Sequence, residues 1–425
     1  MKNPKKVLII GGGFAGLSCA QKLAGNDGFQ VTIIDRQNHH LFQPLLYQVA
    51  TAALATTDIA RSLRQILSKA DNVKVILDNI TNIDSKAQVA MSAEERYEYD
   101  YLVMATGMKT SFFGNDQWSK NVIGLKTLAD AYSVRKRVLE ALETAERISD
   151  LVERKRLMTI TIIGGGPTGV ELAGAYADLM NRTFHSNYKN IEGSKLKVII
   201  IEAAPRLLMP YPEDHSAYTK KHLEDSGVSV MTDTMVVDVS DKRLTLKSGE
   251  TIDTHTIIWA AGMEATKLLN CFEGAPRDRA GRVTVAADLS IPGLPNVFVG
   301  GDTADVTDAA GIKVPGVAPA ASQMGRHIAT AIIFDSEAGG EAGSATGRPE
   351  FTYWDKGMMA IIGKHAAVVS AGKMQLQGWT AWMAWLFIHI LFLVGFRNKL
   401  SVLLGWFFAF AGSKPGARVF SSKVE

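Results

Sequence analysis

Seven short, predominantly apolar runs punctuate the chain, at residues 6–10, 31–34, 101–104, 159–163, 197–201, 256–259 and 296–299. Apolar residues dominate each without strict alternation along its length, so each predicts a strand buried on both faces, as in a parallel sheet. After the first and fourth runs the pattern turns helical, over residues 17–23 and 170–180, and another strand follows each time. Two longer apolar segments close the chain. Residues 379–396 are 18 positions without Asp, Glu, Lys or Arg, and residues 400–412 add 13 more. The first barely meets the ~20 residues that span a bilayer, and the second, roughly 20 Å long as a helix, falls short.

Glycine punctuation explains why these elements sit where they do. Gly11-x-Gly13-x-x-Gly16 joins the first strand to its helix, and the next strand ends on Asp35. Gly11 permits the tight turn, Gly13 lets backbone approach a pyrophosphate, and Gly16 lets helix and strand pack. The helix N-terminus offers N–H donors to the phosphates, and Asp35 is placed for ribose hydroxyls. Gly164-x-Gly166-x-x-Gly169 repeats the pattern, with Glu202 at the end of the following strand and a polar excursion over residues 182–194 between helix and strand. Glu202 favours the free 2′-hydroxyl of NADH and would repel a 2′-phosphate, with Arg206 nearby as the counter-argument. The expectation is an α/β fold with two Rossmann-like dinucleotide-binding domains and a C-terminal membrane-anchoring helical segment.

Charge supports the last part. The net charge is +3, but residues 356–425 hold eight Lys or Arg against one acid, leaving 38 basic and 42 acidic residues elsewhere. An acidic body with a basic, Trp-rich tail suits an anionic lipid surface better than nucleic acid. Trp379, Trp382, Trp385 and Trp406 are expected at interfacial depth, with Arg397, Lys399, Lys414 and Arg418 beside them, on two helices lying in one leaflet. A buried dimer interface is the competing reading, and a homodimer stays open. Cys19 and Cys271 are the only cysteines and form no C-x-x-C, which favours a reducing compartment and excludes a cysteine-based metal or disulfide motif. The N-terminal apolar run breaks at Gly11, too short for a signal peptide, so no secretion is expected.

Two fingerprints imply two nucleotides, most simply FAD in one and NAD(P)H in the other. Residues 101–107 and 256–262 are each a strand ending in a small-residue turn, at Thr106-Gly107 and Ala261-Gly262, where the chain can cross between nucleotide domains. The run at 296–299 stops at Gly300-Gly301-Asp302, whose carboxylate can accept from flavin ribityl hydroxyls.

Residues 35–51, Asp-Arg-Gln-Asn-His-His-Leu-Phe-Gln-Pro-Leu-Leu-Tyr-Gln-Val-Ala-Thr, with residues 166–174, Gly-Pro-Thr-Gly-Val-Glu-Leu-Ala-Gly, resemble the type II NADH dehydrogenases. The resemblance extends to Gly301-Asp302, Asp355-Lys356-Gly357, Ile362-Gly363 and the tail, and Pro-Leu-Leu-Tyr-Gln is its specific element. It implies non-covalent FAD held by Gly11, Gly13, Ala15, Gly16, Asp35, Arg36, Pro44, Leu45, Ile80, Thr106, Gly107, Asp302, Ala318 and Lys356. NADH would lie on Gly164, Gly166, Thr168, Gly169, Glu171, Glu202, Ala261 and Gly262. Glu171 either complements the helix dipole from the first turn or orients NADH and relays protons beside the rings. Lys356 is either a solvated tail residue or a cation against the isoalloxazine. Quinone, ubiquinone or menaquinone, would meet Gln323, Pro319 and Met359; some relatives carry glutamine where Pro319 stands, and Gln323 and Met359 can equally be helix surface and core.

The domains implied are residues 1–125 with 285–334 for FAD, 126–284 for NADH, a flexible linker at 335–349, and a membrane-anchoring region at 350–425. The expected activity is two-electron transfer from NADH through FAD to a membrane quinone without proton pumping, at the cytoplasmic face of the cytoplasmic membrane. A sulfide:quinone oxidoreductase would need paired cysteines near the flavin. A flavin- and NADH-binding regulator resembling apoptosis-inducing factor is the rival from another class.

Overall fold

A computed structural model of the chain describes residues 3–191, 196–339, 342–344 and 346–412, without the side chains of 181–187 and 409–412. Two compact units emerge. One comprises Met1–Leu41, Ala60–Lys109 and Met263–Lys356, and the other Phe42–Ile59, Thr110–Gly262 and Gly357–Glu425.

The first unit is built on a six-stranded sheet. Lys5–Ile10 lies at its centre between Phe29–Asp35 and Tyr101–Met104, all parallel, with Leu294–Val299 and Val73–Leu77 extending it on either side. Val7, Ile9, Val31, Ile33, Leu102, Val103, Val297 and Phe298 are buried, as double-sided coverage requires. The helices Phe14–Leu23 and Ala318–Glu337 pack together, closely enough that a Cβ on Gly325 would sit 2.0 Å from the Ala15 carbonyl oxygen.

The second unit repeats the plan with five parallel strands, ordered Ile123–Gly124, Thr256–Trp259, Thr159–Ile163, Lys197–Ile201 and Val228–Met231. Its glycine helix runs Pro167–Asn187, so the excursion expected from residue 182 begins as helix; residues 192–195 lie outside the described residues. Three antiparallel strands, Met358–Gly363, Ala366–Ala371 and Met374–Gly378, pack on that helix, where a single strand-like stretch is legible in the sequence.

Residues 335–349 read from composition as a linker, yet they begin in the last turn of Ala318–Glu337, and Asp335, Gly343 and Arg348 are tied down. Fully buried Asp335 accepts hydrogen bonds from Tyr101 Oη at 2.9 Å, from Gly343 N–H and from Arg348. Arg348 also pairs with Asp288 at 2.9 Å. An acid and an arginine buried together hold each other, because either alone would be a desolvated, unpaired charge.

The tail forms the helices Trp379–Phe392 and Phe396–Gly412. Among the described residues no helix is long and apolar enough to cross a membrane. The expectation of four interfacial tryptophans is overturned for three of them: Trp382, Trp385 and Trp406 are buried inside the unit, and only Trp379 is exposed. Trp385 stacks on His389 at 3.9 Å and meets Trp406 at 5.6 Å, an aromatic core that sequence periodicity cannot tell from a membrane belt. The outward positions include Phe387, Leu391, Phe396, Leu403, Leu404, Phe407 and Phe408. Lys414 and Arg418 lie outside the described residues.

Candidate active site

Both glycine turns have the same geometry. Gly11 has φ +109° and Gly164 φ +112°, and a Cβ on either would strike the backbone of the neighbouring strand end, at Ala105 or Ala260. Only glycine fits there. A Cβ on Gly16 or Gly169 would lie 1.9 Å from the first glycine's own carbonyl oxygen, so the third glycine closes helix on strand. Around Gly13 and Gly166, by contrast, there is open space. The middle glycine of each turn is thus where a ligand's backbone-hugging phosphates can approach, and the protein fits a dinucleotide in both places.

The two acids are also alike. Asp35 accepts from Gly12 N–H at 2.6 Å and Gln37 N–H at 2.7 Å, and Glu202 accepts from Gly165 N–H at 2.5 Å and Ala204 N–H at 2.7 Å. Each carboxylate ties its strand end to the glycine turn, with lone pairs to spare for ribose hydroxyls. Arg206 is not available to a 2′-phosphate in this arrangement: its guanidinium donates to the Tyr211 and Met209 carbonyls and to Ser216 Oγ.

In the first unit, Gly11, Gly13, Ala15, Gly16, Asp35, Arg36, Ile80, Thr106, Gly107, Asp302, Ala318, Pro319, Gln323 and Lys356 are all present. Ala15, Ala105 and Ala321 cluster beside the glycine turn, with Gly301 against Ala15. Asp302 lies in the short turn Gly301–Thr303 beside Gly316, shortly before the helix that starts Ala318-Pro319. Thr106 shares a hydrogen bond with Thr266 at 2.9 Å. Gln323 spends its amide on the backbone of Trp354, donating to the carbonyl and accepting from the N–H, both at 3.0 Å. It therefore clamps the segment that carries Lys356, whose Nζ lies 5.0 Å from the Trp354 ring centroid.

Pro44, Leu45, Gly164, Gly166, Thr168, Gly169, Glu171, Glu202, Ala261, Gly262 and Met359 belong to the second unit. Glu171 is the fifth residue of its helix, just past the first turn, which holds no acid. Burial raises its carboxyl well above the usual range, against a hydrogen bond from Ile361 N–H that pulls the other way. Its charge acts in turn on Tyr47 and Tyr211, both phenols already pushed up by burial. Met359 sits two residues from Ile361 on the strand Met358–Gly363, paired with Val369.

Sequence reasoning left two residues without a role. His40 is buried, with Nδ1 donating to the Gly12 carbonyl at 3.1 Å and Nε2 without a hydrogen-bond partner among the described residues. Gln48 is buried with an amide engaged at both ends. Both lie in the 35–51 run, whose polar residues in an apolar setting were the available signal.

Paired cradles with matching acids define a two-dinucleotide oxidoreductase, and residues 5–325 match the pyridine nucleotide-disulphide oxidoreductase family. The chain is 40% identical to the type II NADH:quinone oxidoreductase Ndh of Mycobacterium tuberculosis over 422 residues, covering 97% of this chain and 89% of that one. It is also 40% identical to NdhA of the same organism, over 99% of this chain and 90% of that one. The chain belongs to the type II NADH:quinone oxidoreductases. In fold it is similar to NDH2 from Plasmodium falciparum in complex with NADH, at a TM-score of 0.87 and 21% identity over 95% of this chain and 98% of that one. The sulfide:quinone oxidoreductase of Aquifex aeolicus shares the fold at a TM-score of 0.73 and 17% identity, over 93% of this chain and 92% of that one. Here Cys19 and Cys271 are both free, Cys19 fully buried with its thiol pushed up by desolvation.

Proposed function

We propose that this chain passes two electrons from NADH, through a non-covalent FAD, to a respiratory quinone, with no proton-pumping step. The observation that carries the reading is the duplicated cradle, with Asp35 on one turn and Glu202 on the other. FAD in the first cradle supplies a hydride acceptor and two-electron store. Gly11, Gly13, Gly16 and the helix behind them take its pyrophosphate, Asp35 its ribose and Asp302 its ribityl hydroxyls. NADH lies on Gly164, Gly166 and Gly169, with Glu202 on the adenosine ribose. Glu171, its carboxyl raised by burial, is the group of the second unit suited to hold a proton. Lys356 supplies positive charge on the flavin side, held through Trp354 by Gln323.

The exposed apolar faces of the tail helices lie on a bilayer surface, bringing a lipid-soluble acceptor to a water-soluble donor's enzyme. Anaerobic mixing of the yellow protein with NADH, then with a short-chain quinone, tests the reaction. Bleaching followed by recovery at comparable rates is expected, whereas bleaching that quinone reverses only slowly favours the regulator.

A further inference from the structure

Between the tail helices and residues 42–59 runs a chain of hydrogen bonds. Trp406 Nε1–H donates to Gln48 Oε1 at 2.7 Å, and Gln48 Nε2–H donates to Tyr47 Oη at 2.8 Å. All three residues are only 4% exposed. Leucine and phenylalanine would fill the same space without desolvating polar groups, so the polarity asks for a reason.

Direction supplies one. An indole nitrogen can only donate. Gln48 must therefore turn its carbonyl to Trp406, which fixes the amide against a flip and aims its NH2 at Tyr47. The phenol oxygen becomes an acceptor on that side, and its own proton is left to point elsewhere. Trp385 stands edge-on to the phenol, with centroids 6.4 Å apart, and limits how far the ring can turn. The carboxyls that act electrostatically on Tyr47 are Glu171 and Asp178. An O–H fixed in direction before the reaction is a preorganised donor for an oxygen that gains negative charge, as a quinone carbonyl does on reduction.

We propose that Gln48, locked by the Trp406 indole, is a positioning residue for the quinone half-reaction, holding Tyr47 as hydrogen-bond donor to the acceptor's carbonyl oxygen. The inference rests on the reading of the acceptor as a quinone arriving from the side of the tail helices. Tyr47 keeps its proton throughout: reduced FAD, held as proposed above, would supply two electrons and the one proton it gained with the hydride, and the second proton that completes the quinol would come from solvent.

The test compares Tyr47→Phe, Gln48→Leu, Trp406→Phe and the Tyr47→Phe/Gln48→Leu pair in the full-length holoenzyme. Flavin reoxidation by a short-chain quinone, which needs no bilayer, should slow roughly 10- to 100-fold for Tyr47→Phe, the worth of a hydrogen bond to a charged group. Gln48→Leu and Trp406→Phe should each slow it roughly fivefold while leaving flavin reduction by NADH unchanged. In the pair, Gln48→Leu should add nothing to Tyr47→Phe, because it acts through that hydroxyl. A second readout needs no turnover: the infrared carbonyl stretch of a labelled quinone bound to oxidised enzyme should move toward its free value in Tyr47→Phe and part of the way in Gln48→Leu. An additive pair, or a carbonyl band that no variant shifts, overturns the proposal. A parent enzyme that quinone fails to reoxidise would overturn the functional reading as well, and the parent control separates the two failures.

Discussion

Glu202 does two jobs, and only one is structural. Its bonds to the Gly165 and Ala204 N–H groups stiffen the second glycine turn, and with NADH held as proposed its charge would face the 2′ position of the ribose. Arg206 is committed to the 209–216 turn and offers a 2′-phosphate no compensation. NADH should therefore reduce the flavin far better than NADPH. Glu202→Gln, which lifts the repulsion, should narrow the ratio of kcat/KM values roughly tenfold; an unchanged ratio assigns discrimination to another residue. Glu171 makes a different prediction. Its folded-state pKa is raised by desolvation, so its stabilising contribution is present while the carboxyl is protonated and is lost as pH rises through that raised value. Glu171→Gln cannot ionise, so its melting temperature should fall less than the parent's as pH rises above the ordinary carboxylate range. Turnover should slow, with FAD retained. Parallel melting curves would show that the carboxyl is solvated after all.

At the scale of elements, the helix Pro167–Asn187 and the strand Met358–Gly363 come backbone to backbone at Gly174. A Cβ on Gly174 would lie 1.6 Å from the Ile362 carbonyl oxygen, and Ile361, the next residue, gives Glu171 its backbone hydrogen bond. Gly174→Ala must push the strand away, at a cost of about 1–3 kcal/mol or more. A melting temperature lower by several degrees, weaker NADH reduction and undisturbed FAD content should follow. Native values for all three would mean that the strand yields freely. The two glycine motifs were legible in the sequence because backbone geometry dictates residue type there, as at Gly11 and Gly164. Gly174 is legible as part of its glycine motif, but its partner strand is not, since a contact between residues 174 and 362 leaves no periodic trace. Gln323 is the same case: its type suggested an amide for quinone, and only the fold shows both ends of that amide holding Trp354.

The whole molecule decides what the tail can do. Sequence pattern found two apolar helices but could not say which face looked inward, because both are apolar nearly all round. The structure turns Trp382, Trp385 and Trp406 inward, and it ties the second helix to residues 42–59 again where Asn398 donates to the Thr57 and Asp58 carbonyls and Ser401 to Asp58. Deleting residues 379–425 would therefore strip the cover from Tyr47, Gln48 and Leu54 as well as any lipid contact, and its kinetics would report unfolding. The membrane reading is better tested on the outward face alone. Phe387, Leu391, Leu404 and Phe407 are each at least half exposed, contribute little to the fold and would each gain about 2 kcal/mol on full burial in a bilayer. Replacing all four with Gln should leave the melting temperature, FAD content and short-chain quinone activity near parent values. Flotation with anionic liposomes should be lost, and activity with long-tailed quinone embedded in them should fall at least tenfold. If the fourfold variant still floats and turns over the embedded quinone at the parent rate, the apolar face is not what meets the bilayer, and its cover must be sought in a second protein chain.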